Sequence, residues 1–301
     1  EVANLGFEYV NGSQTSLEPL RNILNAYQED FIPNLNIEWE DTDINSILAA
    51  AAQETKWKFN IPELRHKVDG ISAGHMVIVG ARPNTGKTSF HASVIASDGG
   101  FASQGAKCIV LCNEEAPSRV TARYLSAASS MSLKEINTNQ GLAGIRWAKV
   151  KENIKFHGCI GKDLSFVESV IKNEQPDIVI LDMGDKFAKR TSDKSDVYLK
   201  DAAIYARNLA IEYNCAIIWM SQLSASAEGI NRPDQSMLEG SKTGKAAEAD
   251  LMLLIAKVQK TESSQVVKDN MRNIEIAKNK LTGGYHGECY VALDGDRSIY
   301  S

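Results

Sequence analysis

A short apolar run, Met76-Val77-Ile78-Val79, leads straight into Gly80-Ala81-Arg82-Pro83-Asn84-Thr85-Gly86-Lys87-Thr88, and Ser89 to Ala96 continue with the spacing of a helix. Strand, tight loop and helix in that order constrain the fold more than any other feature of the chain. Such a loop leaves backbone N–H groups exposed at a helix N-terminus, where phosphate oxygens are held. Lys87 can place a point charge on outer phosphates, and the Thr88 hydroxyl can ligate magnesium. Ala81, Arg82, Pro83, Asn84, Thr85, Gly86, Lys87, Thr88 and Ser89 are thus a candidate cradle for a nucleoside triphosphate such as ATP with Mg2+.

The pattern is that of a P-loop, G-x-x-x-x-G-K-[ST], with one departure. Counted back from Gly86-Lys87, the first position is Ala81, and Gly80 stands one residue early. Composition narrows the rest. At 301 residues, 43% hydrophobic and 24% charged, the chain suits one large domain with an appendage. A formal net charge of -5 gives no global attraction to nucleic acid, so any DNA contact must come from a local cluster of Lys and Arg. The five cysteines show no C-x-x-C spacing and the five histidines are scattered, which argues against a zinc-type site and for a reducing compartment. No apolar run approaches the roughly 20 residues of a membrane span, and no basic-then-apolar signal opens the chain. A cytoplasmic location and no membrane partner are expected. The first residue, Glu1, suggests a piece of a longer protein.

Read in order, residues 1–15 carry no firm pattern. Leu17, Leu20, Ile23, Leu24 and Tyr27 fall at helical spacing behind Ser16, and Ile44, Ile47, Leu48 and Ala51 do so behind Asp43, each with a capping side chain in place. These helices can pack on their own core or reach a neighbouring subunit. Phe59 to His75 read as a loop with a short helix. Beyond the cradle, strands are expected at 107–112, 154–157, 177–182, 216–220, 251–255, 274–277 and 289–293, and helices at 117–128, 132–152, 164–172, 198–213 and near Ala246. The alternation predicts an α/β fold, a mostly parallel twisted sheet with helices on both faces. Residues 1–58 are read as a helical segment and linker, and 59–301 as the catalytic domain.

Hydrolysis of a phosphoanhydride needs a cradle, a metal, a group to orient water and charge compensation in the transition state. Asp182 ends an apolar strand where an acid holds the magnesium shell. Glu114 and Glu115 follow another strand, and either can orient water as general base, or simply open the next helix. Gln222 ends the Trp219 strand, where its amide can sense the γ-phosphate ahead of a long loop rich in Ser, Gly and Asn.

Together these residues resemble the ATPase domain of DnaB-type replicative DNA helicases and their phage relatives, a branch of the RecA-like P-loop ATPases. Ala81 to Thr88 look like that family's A-R-P-x-x-G-K-T, which accounts for the displaced glycine. Glu114 followed nine residues later by Arg123 is similar to its second motif, so the resemblance favours Glu114 as base and gives Arg123 a place at the nucleotide. Asp182 resembles the Walker B acid, although Met183-Gly184-Asp185 departs from the usual aromatic and Gln. Ser221-Gln222-Leu223 looks like S-Q-L, and Ala249-Asp250 like the closing A-D step. Lys278-Asn279-Lys280 with Thr282-Gly283 is similar to K-x-R-x-G, whose basic residues reach the neighbouring subunit's γ-phosphate, with Lys280 standing where Arg is usual. The resemblance spans 59–301.

What it implies is a homo-oligomer, a hexameric ring with ATP at subunit interfaces and single-stranded DNA in the channel, served by a primase or helicase loader. Two basic stretches are candidate DNA contacts: one after Asp182, with Lys186, Lys189, Arg190 and Lys194, and one after Gln222, with Ser241, Lys242, Gly244 and Lys245. A RecA-like recombinase or regulatory ATPase that assembles without unwinding, and a nucleotide-binding assembly module with little turnover, carry much the same cradle.

Overall fold

The computed structural model describes residues 2–13, 16–23, 42–45, 56–188, 194–240, 244–259, 269–281 and 284–301. The chain divides into two compact units, 1–53 and 54–301. In the first, α1 (Val2–Val10) is a helix with no buried residue, where the sequence suggested no structure. Asn4 and Gly6, both weak helix formers, interrupt the apolar spacing there and hide the helix from a pattern search. Residues 18–23 are helical, and the Ser16 hydroxyl accepts from the Glu18 backbone N–H at 3.1 Å, as its reading as a cap requires. The remainder of both expected stripes, residues 24–41 and 46–55, lies outside the described residues.

The second unit opens with a small two-stranded sheet, β1 (Trp57–Lys58) and β2 (Gly70–Ile71), around α2 (Pro62–Val68). These two short strands stand within what reads as loop, because two residues give no periodicity to detect. β3 (Met76–Ala81) follows, then α3 (Lys87–Ala96), β4 (Cys108–Cys112) and α4 (Pro117–Ser129). The single helix expected at 132–152 is instead α5 (Leu133–Thr138), α6 (Gln140–Ala148) and a 3-10 turn at Lys151–Asn153. A capping box between Ser132 and Glu135 starts α5, and Asn139 leaves helical geometry at φ -131°, ψ 46°, so the chain turns between the two. Then come β5 (Ile154–Gly158), α7 (Leu164–Glu174), β6 (Ile178–Asp182), α8 (Ser195–Glu212), β7 (Ala216–Gln222), α9 (Gly244–Glu248), β8 (Leu251–Lys257), β9 (Met271–Asn279), β10 (Gly287–Asp294) and β11 (Ile299–Tyr300).

Nine strands form one sheet in the order β11-β10-β9-β8-β3-β7-β6-β4-β5. The six from β8 to β5 are parallel, and β9, β10 and β11 add antiparallel to the β8 side. Alternation sets two cores: Val77 and Val79 of β3 join one, with Phe90 and Val94 of α3, while Met76 and Ile78 join the other, with Ala203 and Ala206 of α8. Burial on both faces explains why the central strands read as continuous apolar runs. Gly80 is a packing glycine of β3, not a cradle residue out of place. A Cβ there would stand 2.8 Å from Leu254 and 3.1 Å from Leu223.

Candidate functional site

In a parallel sheet the C-terminal strand ends share one edge, and here that edge gathers the chemistry. β3 runs into the cradle, β4 into Glu114 and Glu115, β6 ends at Asp182 and β7 at Gln222. A cleft of about 460 Å³ is lined by Arg82 to Asn84, Gly86 to Ser89, Glu114, Glu115, Arg123 and Gln222, with Arg272, Leu293 and Gly295 joining from the antiparallel side. Among the sequence-derived nucleotide contacts, the cradle, both glutamates, Arg123 and Gln222 are therefore together. Asp182 lies beneath, 1% exposed.

The turn is shaped by backbone geometry. Asn84 has φ 57° and Gly86 φ 112°, so the N–H groups fold inward before α3 starts at Lys87. A Cβ on Gly86 would come within 2.5 Å of the Tyr300 hydroxyl, which excludes a side chain there twice over. Two residues that sequence reading missed hold the loop from below. Tyr300 donates to the Gly86 carbonyl at 3.1 Å and sets its ring edge-on to Phe90, and the buried Arg272 donates from Nε to the Thr85 carbonyl at 2.8 Å. Neither had a local signal, since 214 and 187 residues separate the partners.

Lys87 Nζ lies against Met183 Sδ with Glu114 Oε2 at 3.9 Å. Burial lowers its pKa from the usual lysine value, against the opposing pull of Glu114, Asp182 and Asp185. Glu115 is engaged differently: both of its oxygens accept from Arg123, at 3.0 and 3.2 Å. The two adjacent acids, equivalent in sequence, are thereby separated, with Glu114 facing Lys87 and Glu115 bound in a fork. Arg123 lines the cleft with its guanidinium on that carboxylate.

Asp182 carries two oxygens with no hydrogen-bond partner among the described residues, and His91 Nε2, also unpartnered, stands 3.8 Å from Oδ1. Burial raises the Asp182 pKa, but His91, Lys87 and Arg123 outweigh it and the carboxyl ends below its ordinary value. A buried, charged and unsatisfied carboxylate at the cradle edge suits the oxygen-rich, partly hydrated shell of magnesium. No cluster of three or more His, Cys, Asp or Glu exists among the described residues. Such a shell takes most of its other ligands from phosphate and water.

Behind this edge a second polar group is fully satisfied. Lys245 Nζ donates to Asp185 Oδ1 at 2.6 Å, Ser221 Oγ at 2.8 Å and the Glu239 carbonyl at 3.2 Å. Asp185 also accepts from Trp219 Nε1 at 3.0 Å and Ser221 Oγ at 2.7 Å. The expectation that Lys245 touches DNA is therefore corrected: its side chain is 0% exposed, because an acid 60 residues away draws the ammonium inward. Gly244 begins α9 against Lys200, where a Cβ would approach to 2.8 Å. Lys189, Arg190, Ser241 and Lys242 lie outside the described residues, while Lys186 is exposed.

The remaining basic candidates are on β9 and just past it. Lys278 Nζ donates to the Ala246 and Ala247 carbonyls, both at 2.7 Å, in α9, and burial together with neighbouring Lys280 lowers its pKa to about 8. Lys280 is exposed; Thr282 and Gly283 lie outside the described residues. Asp250, of the Ala249-Asp250 step, accepts from the Met76 N–H at 2.9 Å and pairs with Arg207, so it anchors the start of β3.

A phosphate-binding loop on the edge of a mostly parallel sheet, with a buried acid two strands away, defines a RecA-like ATPase core. The family of the DnaB-like helicase C terminal domain matches residues 58–296, and this chain belongs to it. Among curated proteins it is similar to the replicative DNA helicase DnaB of Haemophilus influenzae, 24% identical over 307 residues that cover 95% of this chain. The chain spans 62% of that relative's length. Of solved structures, the ATPase domain of a phage helicase superposes with a TM-score of 0.70 at 19% identity, covering 86% of this chain and 98% of the other. A DnaB-like replicative helicase, described with its interactions with primase, superposes at 0.74 and 17% identity, covering 99% of this chain and 74% of that one.

Proposed function

We propose that this chain is the motor of an ATP-dependent replicative DNA helicase, hydrolysing ATP at subunit interfaces of a hexameric ring to move along single-stranded DNA and separate the duplex. The observation that carries the reading is the pairing of an unfinished Lys87–Glu114 contact with an unsatisfied buried Asp182 on the same edge as the cradle. In this reading the N–H groups of 82–88 bind phosphates, Lys87 compensates their charge, and Glu114 orients the attacking water. Thr88 and Asp182 would hold Mg2+, which supplies charge neutralisation at the bridging oxygens. Gln222 senses the γ-phosphate at the head of the loop that follows it. Lys278 and Lys280 act on the neighbouring subunit's nucleotide, which requires Lys278 to leave the α9 carbonyls.

DNA is met by the stretches holding Lys189 and Arg190 and holding Ser241 and Lys242, where Gly244 permits the close approach of α9; cationic side chains there bind phosphates without reading sequence. Residues 1–58 form a helical segment and linker, a primase or loader is the expected partner, and the protein works in the cytoplasm, that of the host if it is viral. Among the described residues no helix is long and apolar enough to cross a membrane.

A forked-duplex assay with ATP tests the proposal. Strand separation that disappears in Lys87→Ala is the expected result. Hydrolysis stimulated by DNA without separation would instead favour a recombinase or regulatory ATPase, and absence of hydrolysis with or without DNA would remove both.

A further inference from the structure

His91 sits four residues after Lys87 on α3, so the two side chains share a face one turn apart, and that face looks onto the end of β6. An imidazole with 0% exposure is unusual there, and its two nitrogens have unequal surroundings. Nδ1 is 2.9 Å from the Tyr124 hydroxyl, while Nε2 has no hydrogen-bond partner among the described residues and faces Asp182 Oδ1 at 3.8 Å.

Tyr124 fixes which nitrogen carries the proton. Its ring is buried, edge-on to Phe156, and His91 is its hydrogen-bond partner among the described residues. A buried phenol needs an acceptor for its O–H, and a neutral imidazole accepts on only one nitrogen. With Nδ1 accepting from Tyr124, the ring proton is on Nε2 and points at the carboxylate. The 3.8 Å gap exceeds hydrogen-bond length by roughly 1 Å, a distance that a small movement of either α3 or the β6 end closes when nucleotide draws on Lys87 and Asp182.

We propose that His91, oriented by Tyr124, is a positioning residue for Asp182: its Nε2–H steadies Oδ1 so that Oδ2 is presented to the magnesium shell. The carboxylate then needs no reorientation when metal and nucleotide arrive. Groups that orient metal-bound carboxylates characteristically contribute about 10–100-fold to metal affinity or activity. The inference rests on the functional reading above, and its experiment separates the two.

The experiment measures Mg2+ dependence in the full chain by two routes, hydrolysis and the binding of a fluorescent non-hydrolysable ATP analogue. His91→Leu is expected to raise the half-saturating Mg2+ about 10–100-fold in both, with little change in KM for ATP at saturating Mg2+. His91→Gln, which returns an amide N–H near the Nε2 position, should recover most of the loss. A residue that merely fills space would move the melting temperature and not the Mg2+ dependence, and Gln would rescue nothing. Tyr124→Phe removes one oxygen and keeps the ring packing, so it serves even if His91→Leu fails to fold. It should shift the Mg2+ requirement in the same direction, and an unchanged requirement in Tyr124→Phe overturns the inference. If the wild-type chain binds no analogue with Mg2+ present, the functional reading has failed; if it binds normally and the variants match it, only the role of His91 has.

Discussion

Two lysines end up inside this molecule, and they are treated in opposite ways. Lys245 is 0% exposed and saturated by Asp185, Ser221 and a carbonyl, whereas Lys87 is 11% exposed, has its nearest carboxylate at 3.9 Å and a pKa depressed chiefly by burial. The first ammonium is consumed by the fold: it ties the 3-10 turn after Asp182 to the end of β7 and to α9. The second is held ready for a partner that the chain does not supply. Satisfaction marks structure, and a cation left short of partners marks a site.

Removing each lysine breaks the comparison most directly. Lys245→Ala leaves Asp185 buried without its counter-charge, so it should cost about 3–5 kcal/mol of stability and lower the melting temperature by about 10 °C, as read by calorimetry. A melting temperature within a degree or two of wild type would show that the pair is dispensable. Lys87→Ala should do the reverse: hydrolysis should fall about 10²–10³-fold while the melting temperature holds or rises, because a poorly paired buried cation has gone. Equal destabilisation in both variants would erase the distinction.

A smaller effect is expected under the cradle. Tyr300→Phe deletes one hydrogen bond to the Gly86 carbonyl, about 1 kcal/mol, and should appear as a raised KM for ATP with kcat nearly kept. Loss confined to kcat would mean that the ring, not the hydroxyl, sets the loop. Smallest is a pH effect at Lys278, a third lysine intermediate between the other two. Its pKa of about 8 leaves it charged at neutral pH and half-deprotonated near 8, so a role as cation predicts hydrolysis declining as pH rises through 8. Lys278→Arg keeps its charge and should move that decline upward. Linkage gives a second reading of the same group: because folding lowers this pKa, the unfolded chain binds more protons between about 8 and 10.5, and stability contributed by Lys278 increases with pH across that window.

The sequence exposes what is encoded locally. β3, β4, β6, β7 and β8 are continuous apolar runs because both faces of the sheet are covered, and Asp182 is conspicuous as the acid ending one of them. The cradle is legible for the same reason, being one contiguous stretch. What is hidden depends on distant partners. Lys245 stands between Gly244 and Ala246 in a polar stretch and reads as exposed; only Asp185, folded against it, makes it interior. Glu114 and Glu115 are indistinguishable as a pair of adjacent acids until Arg123, two turns along α4, takes one of them. His91 reads as a scattered histidine until α3 and β6 pack and bring it to Asp182.

The support of the cradle by Tyr300 has a consequence in time. The loop leaves the ribosome 214 residues before its prop does, an interval of about 10–40 s at roughly 5–20 residues per second. Through that interval a nascent chain displays the glycine-lysine turn with its underside open. The completed pocket arrives with β11 at the edge of the sheet, so a firm grip on nucleotide reports that every strand beneath it has already been made.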